Sequence, residues 1–196
     1  MLNDLTVSEW NTGTGNLLIS SSDSSLTGHK TNSSVTREAP MTIHIACAEI
    51  QDVEIIATMV GELLNEIMAA VQDKAFGFDH ARTVDRAESW MKQGLYMVLL
   101  ARVDDRPIGF LALYASYALY TEGVYGTIPE FYVRSAYRSQ GIGSALLTEA
   151  KAIGQQRGWK RLEVTTPPLP QFDRSLSFYQ RNGFTISGGR KLKLNL

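Results

Sequence analysis

The apolar positions change period along the chain, and each change marks an element. From Thr42 to Ala48, Ile43, Ile45 and Cys47 alternate with their neighbours, the period-2 pattern of a strand. Asp52 to Val71 then carries Val53, Ile56, Val60, Leu63, Leu64, Ile67, Met68 and Val71 at helical spacing, which predicts an amphipathic helix. Gln72 to Ala81 reads as a loop, and Thr83 to Gln93 as a second helix closed by Gly94. Leu95 to Val103 and Arg106 to Ser116 form a predicted hairpin about Asp104-Asp105. Gly126 to Val133 is a further strand. Gly143 to Arg157 is a helix with Leu146, Leu147, Ala150 and Ile153 on one face, stopped by Gly158. Lys160 to Thr165 reads as a strand and Ser175 to Asn182 as a short helix ended by Gly183. Phe184 to Ile186 and the alternating Lys191 to Leu196 are expected to finish the sheet. Interleaved helices and strands imply an α/β fold with helices on both faces of one sheet.

Residues 1–40 have a different texture. Ser, Thr, Asn and Gly make up 21 of these 40 residues, and only Leu17-Leu18-Ile19 forms an apolar cluster. Such a segment buries too little surface to offset its ordering entropy, so it is expected to be a disordered tail before a domain spanning 41–196. Thr12-Gly13-Thr14-Gly15 lacks the Lys-Ser/Thr ending and the preceding strand of a phosphate loop.

Composition narrows the class further. The 196 residues, 44% apolar and 20% charged, suit one soluble domain. No uncharged stretch approaches the roughly 20 residues of a membrane span, and the start lacks the pattern of a secretory signal. A lone cysteine, Cys47, excludes an intrachain disulfide and fits a cytoplasmic setting. His29, His44 and His80 are isolated, so no metal site is expected. The net charge of −1 conceals an asymmetry: residues 1–130 hold 8 Lys/Arg against 17 Asp/Glu, and residues 131–196 hold 11 against 3. Either the faces are simply solvated, or the C-terminal third meets an anion. Duplex nucleic acid is a poor candidate for that anion, because the basic residues form no run.

One segment carries chemistry. After the strand ending at Val133 come Arg138-x-x-Gly141-x-Gly143 and, at once, a helix. A glycine turn on a helix N-terminus offers unpaired N–H groups at the positive end of the helix dipole, a ready site for phosphate. Arg138 adds a fixed charge. The third glycine of a dinucleotide fingerprint is missing, since Leu146 stands there.

This segment resembles the coenzyme A-binding motif of the GNAT acyl-CoA N-acyltransferase superfamily. Downstream, Ser175 to Phe184 contains Phe178-Tyr179 and Gly183-Phe184, similar to the family's Ala-x-x-Phe-Tyr-x-x-x-Gly-Phe. The resemblance covers about Met41 to Leu196. It implies a mixed, mostly antiparallel sheet, splayed where the strand ending at Val133 leaves the strand 160–165. Acetyl-CoA would be the co-substrate, with no metal. Backbone groups of Phe131 and Val133 would pair with the pantetheine arm. The N–H groups of Ser139, Gln140, Gly141, Ile142, Gly143 and Ser144, with Arg138, would hold the pyrophosphate.

Tyr179 is similar to the family tyrosine that protonates the departing thiolate; the alternative is a packing aromatic beside Phe178 and Phe184. Glu130 stands on the same strand face as Tyr132 and is the candidate base for the amine, or else a salt-bridge partner. In place of the Asn many members carry before the Phe-Tyr pair, this chain has Phe172; Asp173 beside it is the expected helix cap. The resemblance implies an acceptor pocket between the loop Gln72 to Ala81 and the connection Tyr117 to Gly126, whose Phe76, Phe78, Tyr117, Tyr120 and Tyr125, with Asp73, Asp79 and Glu122, suit a cation with an apolar body. A small-molecule amine is therefore the expected acceptor, followed by protein N-termini or lysines, then amino acids and aminoglycosides. A non-catalytic CoA-binding module is the alternative from another class. No nucleic acid or membrane partner is expected, and a homodimer is left open.

Overall fold

The computed structural model describes residues 15–18, 42–73, 76–121, 123–187 and 191–194, the first four as backbone only. Seven strands form one sheet: β1 Gly15–Leu18, β2 Thr42–Cys47, β3 Met97–Val103, β4 Arg106–Ala118, β5 Gly123–Ile128, β6 Phe131–Val133 and β7 Leu162–Val164. Four α-helices accompany it: α1 Val53–Val71, α2 His80–Lys92, α3 Ile142–Gln156 and α4 Asp173–Arg181. Every pairing in the sheet is antiparallel except that of β5 with β7. The mixed, mostly antiparallel sheet implied by the resemblance is therefore present.

Strand alternation divides the core in two. Ile43, Ile45, Leu99, Leu111 and Leu113 pack with Leu146, Leu147 and Ala150 of α3 and Tyr179 of α4. On the other face, Val98, Leu100, Phe110 and Tyr132 meet Ile56 and Met59 of α1. Burying each such side chain contributes about 1.5–3 kcal/mol, so both faces are firmly held.

Three expectations need correction. Gly15–Leu18, placed in the tail, form a strand on the edge of β2, with Leu17 opposite Ile43. The unpaired N–H and C=O groups of that edge supply what composition does not register. Residues 1–14 and 19–41 lie outside the described residues. Phe184–Ile186 and Lys191–Leu194 belong to no strand; Leu192 is 89% and Leu194 83% exposed. Alternation tells which residues share a face but supplies no pairing partner. Finally, α2 begins at His80, inside the expected loop, because the Asp79 carboxylate accepts from the Arg82 N–H at 3.0 Å and starts the helix.

The expected strand 126–133 is broken in a way that shapes the molecule. Thr127 lies opposite Tyr114, but Phe131 lies opposite Leu111, so three residues on one strand face two on the other. This is a β-bulge at Ile128, Pro129 and Glu130, where Pro129 has no N–H to offer the ladder. Pairing of β5 with β7 stops at Ile128 and Val164, and β6 pairs with β4 alone. The sheet parts there.

Candidate active site

The bulge reverses which way side chains point. Ile128 belongs to the α3-side cluster, yet Glu130, two residues on, bonds to Tyr96, which packs with the α1-side cluster. Beyond it, Phe131 and Val133 return to the α3 side and Tyr132 to the α1 side. The two candidate catalytic side chains, Tyr179 and Glu130, thus stand on opposite faces of the parting sheet.

On the α3 side, Tyr179 is 8% exposed and sits among aromatic rings. Its ring centroid is 5.4 Å from Phe178, 5.4 Å from Phe184 and 6.3 Å from Phe131, all edge to face. Burial pushes its phenol well above the ordinary tyrosine value, so it stays protonated. The phenol makes no hydrogen bond among the described residues. It borders an open cavity of about 1200 Å³ along the edge of β7 that pairs with no strand among the described residues, lined also by Thr127, Leu162, Val164, Thr166 and Gln180. Neither Phe131, Val133 nor any residue of 138–144 lines that cavity. Phe184, Ile186 and Lys191, from the two segments expected to finish the sheet, also line it.

On the α1 side, the Tyr96 hydroxyl donates to Glu130 Oε2. Burial raises the Glu130 carboxyl above the ordinary carboxylate range, and the Tyr96 bond pulls partly back. Tyr96 itself is pushed far up by burial and then by the Glu130 charge. The Trp90 ring lies 5.8 Å from Tyr96 and walls this pair on one side. Sequence reasoning missed Tyr96. It sits at the mouth of β3 in no motif, and only the fold brings it across to the bulge.

The open edge of β6 presents backbone groups. Glu130 C=O accepts from the Ala112 N–H and the Arg134 N–H donates to Ile108 C=O, both at 2.9 Å. Alternation then aims the amide groups of Phe131 and Val133 away from β4. One of them is already engaged: the Val133 carbonyl accepts from Arg138 Nε at 2.7 Å.

The glycine turn forms a cradle of backbone N–H groups. Ser139 (φ 61°) and Gly141 (φ 82°) are both left-handed, the alternation of hand that turns successive N–H groups toward one point. Gly141 is the residue just before α3 and carries no side-chain cap. The Ala145 N–H turns back to the Gly141 carbonyl at 3.0 Å. The amides of Ile142, Gly143 and Ser144 come before that first helical bond and have no partner within the helix. Ile142 is buried and pins the helix start, while Gln140 Nε2 donates to the Ala136 carbonyl. Gly143 has a further reason to be glycine. A Cβ there would lie 3.1 Å from the Phe178 ring and 3.5 Å from that of Phe131. Arg138 does not point at the cradle: its guanidinium makes two 2.7 Å bonds to Glu66 of α1.

The acceptor residues do not form one cluster. Asp79 caps α2, and Phe78 lies against Gly61 of α1. Tyr120 and Tyr125 flank the Arg161 guanidinium, at 5.7 and 4.9 Å. Tyr117 is exposed, and Glu122 lies outside the described residues. Phe172 precedes the first turn of α4 without a capping bond, and Asp173 is its first helical residue rather than its cap. Among the described residues no group of three His, Cys, Asp or Glu could hold a metal. No helix among them is long and apolar enough to cross a membrane.

The family model described as "Acetyltransferase (GNAT) family" matches residues 62–184. No curated protein matches the sequence. Solved structures share the fold. One is the aminoglycoside acetyltransferase meta-AAC0020 from an uncultured soil metagenomic sample, solved with sisomicin: TM-score 0.63, 18% identity, covering 79% of this chain and 96% of that one. A second is the aminoglycoside N-acetyltransferase AAC(6')-Iy in complex with CoA: TM-score 0.66, 15% identity, 82% and 98% covered. A third is the ribosomal-protein-alanine N-acetyltransferase from Brucella melitensis biovar Abortus 2308: TM-score 0.57, 21% identity, 78% and 99% covered.

Proposed function

The chain belongs to the acetyltransferase (GNAT) family, and from that premise we propose that it moves the acetyl group of acetyl-CoA to the primary amine of a small molecule. The observation that carries this reading is the parting of the sheet at the bulge, with a protonated phenol on one face and a carboxylate on the other. The residues present fit CoA. The cradle at 139–144 suits a pyrophosphate, and the free amides on the edge of β6 suit the pantetheine arm.

The two substrates then approach from opposite faces and meet in the gap. Glu130 takes a proton from the amine, directly or through a water. The neutral amine nitrogen attacks the thioester carbon, the C–N bond forms, the nitrogen gives its surplus proton to water as the C–S bond breaks, and Glu130 returns its own proton to solvent. Tyr179 gives its proton to the departing sulfur, which would otherwise be a costly thiolate in an apolar slot, and recovers one from solvent. Tyr96 holds the Glu130 carboxylate in place and offsets part of its desolvation. Attack is direct, since Cys47 lies on β2 and its thiol contacts Met97 at 3.9 Å, away from the parted edge. Two of the fold neighbours are named for aminoglycosides, polyamines in chemical terms, and the acidic Glu130 side suits such a cation. We place this protein in the cytoplasm, with the catalytic unit at 41–196.

Thiol release from acetyl-CoA, measured with a panel of polyamines, aminoglycosides, amino acids and N-terminal peptides, tests the reading. Turnover with a small amine is the expected result. CoA binding without release for any amine would leave a binding module.

A further inference from the structure

Two arginines bracket the short turn between β6 and the glycine cradle, and both are held by α1. Arg134 gives Nε and Nη2 to the Glu62 carboxylate at 3.0 and 2.8 Å, and Nη1 to the Pro107 carbonyl at 2.8 Å. Arg138 gives Nη1 and Nη2 to Glu66 and Nε to the Val133 carbonyl, each at 2.7 Å. Its guanidinium also lies 5.4 Å from the Tyr132 ring centroid. Glu62 and Glu66 are one helical turn apart on α1, and Arg134 and Arg138 share the same four-residue spacing across the 3-10 turn Ser135–Tyr137. Two fork-to-fork pairs therefore lie side by side, each with the planar match only arginine provides. Ser139, the first left-handed residue of the cradle, follows Arg138 directly.

We propose that Glu62 and Glu66 are positioning residues: through Arg134 and Arg138 they clamp the turn that sets the cradle, and Arg138 serves as a strut rather than as a phosphate ligand. This rests on the reading of 139–144 as the pyrophosphate site. All three kinds of nitrogen on Arg138 are engaged with the protein, and its charge is matched by Glu66. The backbone amides are then the anion's donors. The Val133 carbonyl has one of its two lone pairs taken by Arg138, so the Phe131 groups and the Val133 N–H are the edge's unengaged groups among the described residues.

The two roles for Arg138 predict opposite signs at Glu66. A strut predicts that Glu66→Gln weakens CoA binding about fivefold, the upper scale of a half-exposed ion pair, as Arg138→Ala does. The double variant should be no weaker than either alone. Arg138→Lys should resemble Arg138→Ala, because an ammonium cannot bridge a carboxylate and a carbonyl in one plane. The effect should fall on KM for acetyl-CoA, with kcat and KM for the amine unchanged. A direct phosphate ligand predicts instead that Glu66→Gln binds CoA as tightly as the parent, or more so, and that Arg138→Lys keeps most of the affinity; that outcome overturns the proposal. Hydrogen exchange across 134–145 reads the clamp without any ligand, since the Tyr137, Arg138 and Ala145 amides are bonded within the turn. Glu66→Gln should speed their exchange about fivefold, and unchanged exchange refutes the clamp. If the parent protein binds no CoA but Glu66→Gln still speeds exchange, the clamp stands and the pyrophosphate reading fails.

Discussion

The two faces of the parted sheet solve different problems with the same few residues of strand. On the α3 side Tyr179 is surrounded by Phe131, Phe178 and Phe184, so nothing competes for its proton. On the α1 side Glu130 has a hydroxyl partner, Tyr96, that stabilises its charge against burial. A lone phenol in an apolar ring can stay protonated at no electrostatic cost, whereas a lone carboxylate there would neutralise itself. The contrast explains why one side is aromatic and the other has an aromatic with a polar tip. It also explains why a one-residue bulge matters: without it Glu130 would fall on the same face as Ile128.

The largest expected effect comes from breaking the aromatic side. Tyr179→Phe keeps the ring and removes the proton, so turnover should fall by about 10²–10⁴-fold with CoA affinity nearly intact. Because the interaction is made at the transition state, kcat and kcat/KM should fall together. Equal turnover, with chemistry shown to be rate-limiting, would return Tyr179 to a packing role.

Breaking the other side tests both activity and stability. Glu130→Gln should lower turnover by about 10²-fold near neutral pH, with the deficit shrinking as rising pH supplies free amine. Its stability should move the opposite way. The folded carboxyl sits above its unfolded value, so the native state binds the proton more tightly. That contribution is full below the ordinary carboxylate range and is lost as pH rises through the folded value. Denaturant midpoints of Glu130→Gln should therefore match the parent in acid and exceed it at neutral pH. Tyr96→Phe sharpens the comparison. Without the bond that favours the charged form, the acid limb of the activity profile should shift to higher pH, and an unmoved limb would show that Tyr96 merely fills space.

Local pattern made much of this legible. Ile43 and Ile45, the α1 stripe and the Leu146–Leu147 face announce their elements by period alone, and Gly141 marks the helix start by its need for a left-handed φ. What stayed hidden depends on partners distant in sequence. Glu130 was visible as an acid in a covered strand, but its bond to Tyr96 spans 34 residues and the bulge that aims it is a mismatch between two strands. Arg138 read as an anion ligand because its motif lies next to a glycine turn, while Glu66 lies 72 residues away. Lys191 to Leu194 alternates as a strand should, and pairs with nothing among the described residues.

The cradle offers a smaller test, because its two glycines are there for different reasons. Gly141→Ala forces a side chain into a left-handed backbone at the ligand's door, which costs about 1–2 kcal/mol and should weaken CoA as well. Gly143→Ala meets the Phe178 ring at 3.1 Å instead. Its effect should appear in thermal stability, with its sign set by how far the Phe178 ring gives way, and KM for acetyl-CoA should change less than in Gly141→Ala. The reverse ranking would mean that the ligand, rather than Phe178, demands the glycine at 143.

The smallest effect separates the acceptor side from its scaffold. Asp79 stood among the acids expected to greet an amine, yet its carboxylate accepts from the Arg82 N–H and its carbonyl from the Thr83 N–H and hydroxyl. Removing an N-cap costs about 1 kcal/mol, and α2 carries Trp90, which walls Tyr96. Asp79→Ala should therefore lower the melting temperature by a few degrees and leave KM for the amine unchanged at temperatures where the protein is folded. Asp79→Asn keeps a capping oxygen while removing the charge, so its stability should recover most of the loss. An amine KM that rises in Asp79→Asn, with stability restored, would instead place the carboxylate's charge in the acceptor site and make the α1 side of the gap wider than Glu130 and Tyr96 alone define.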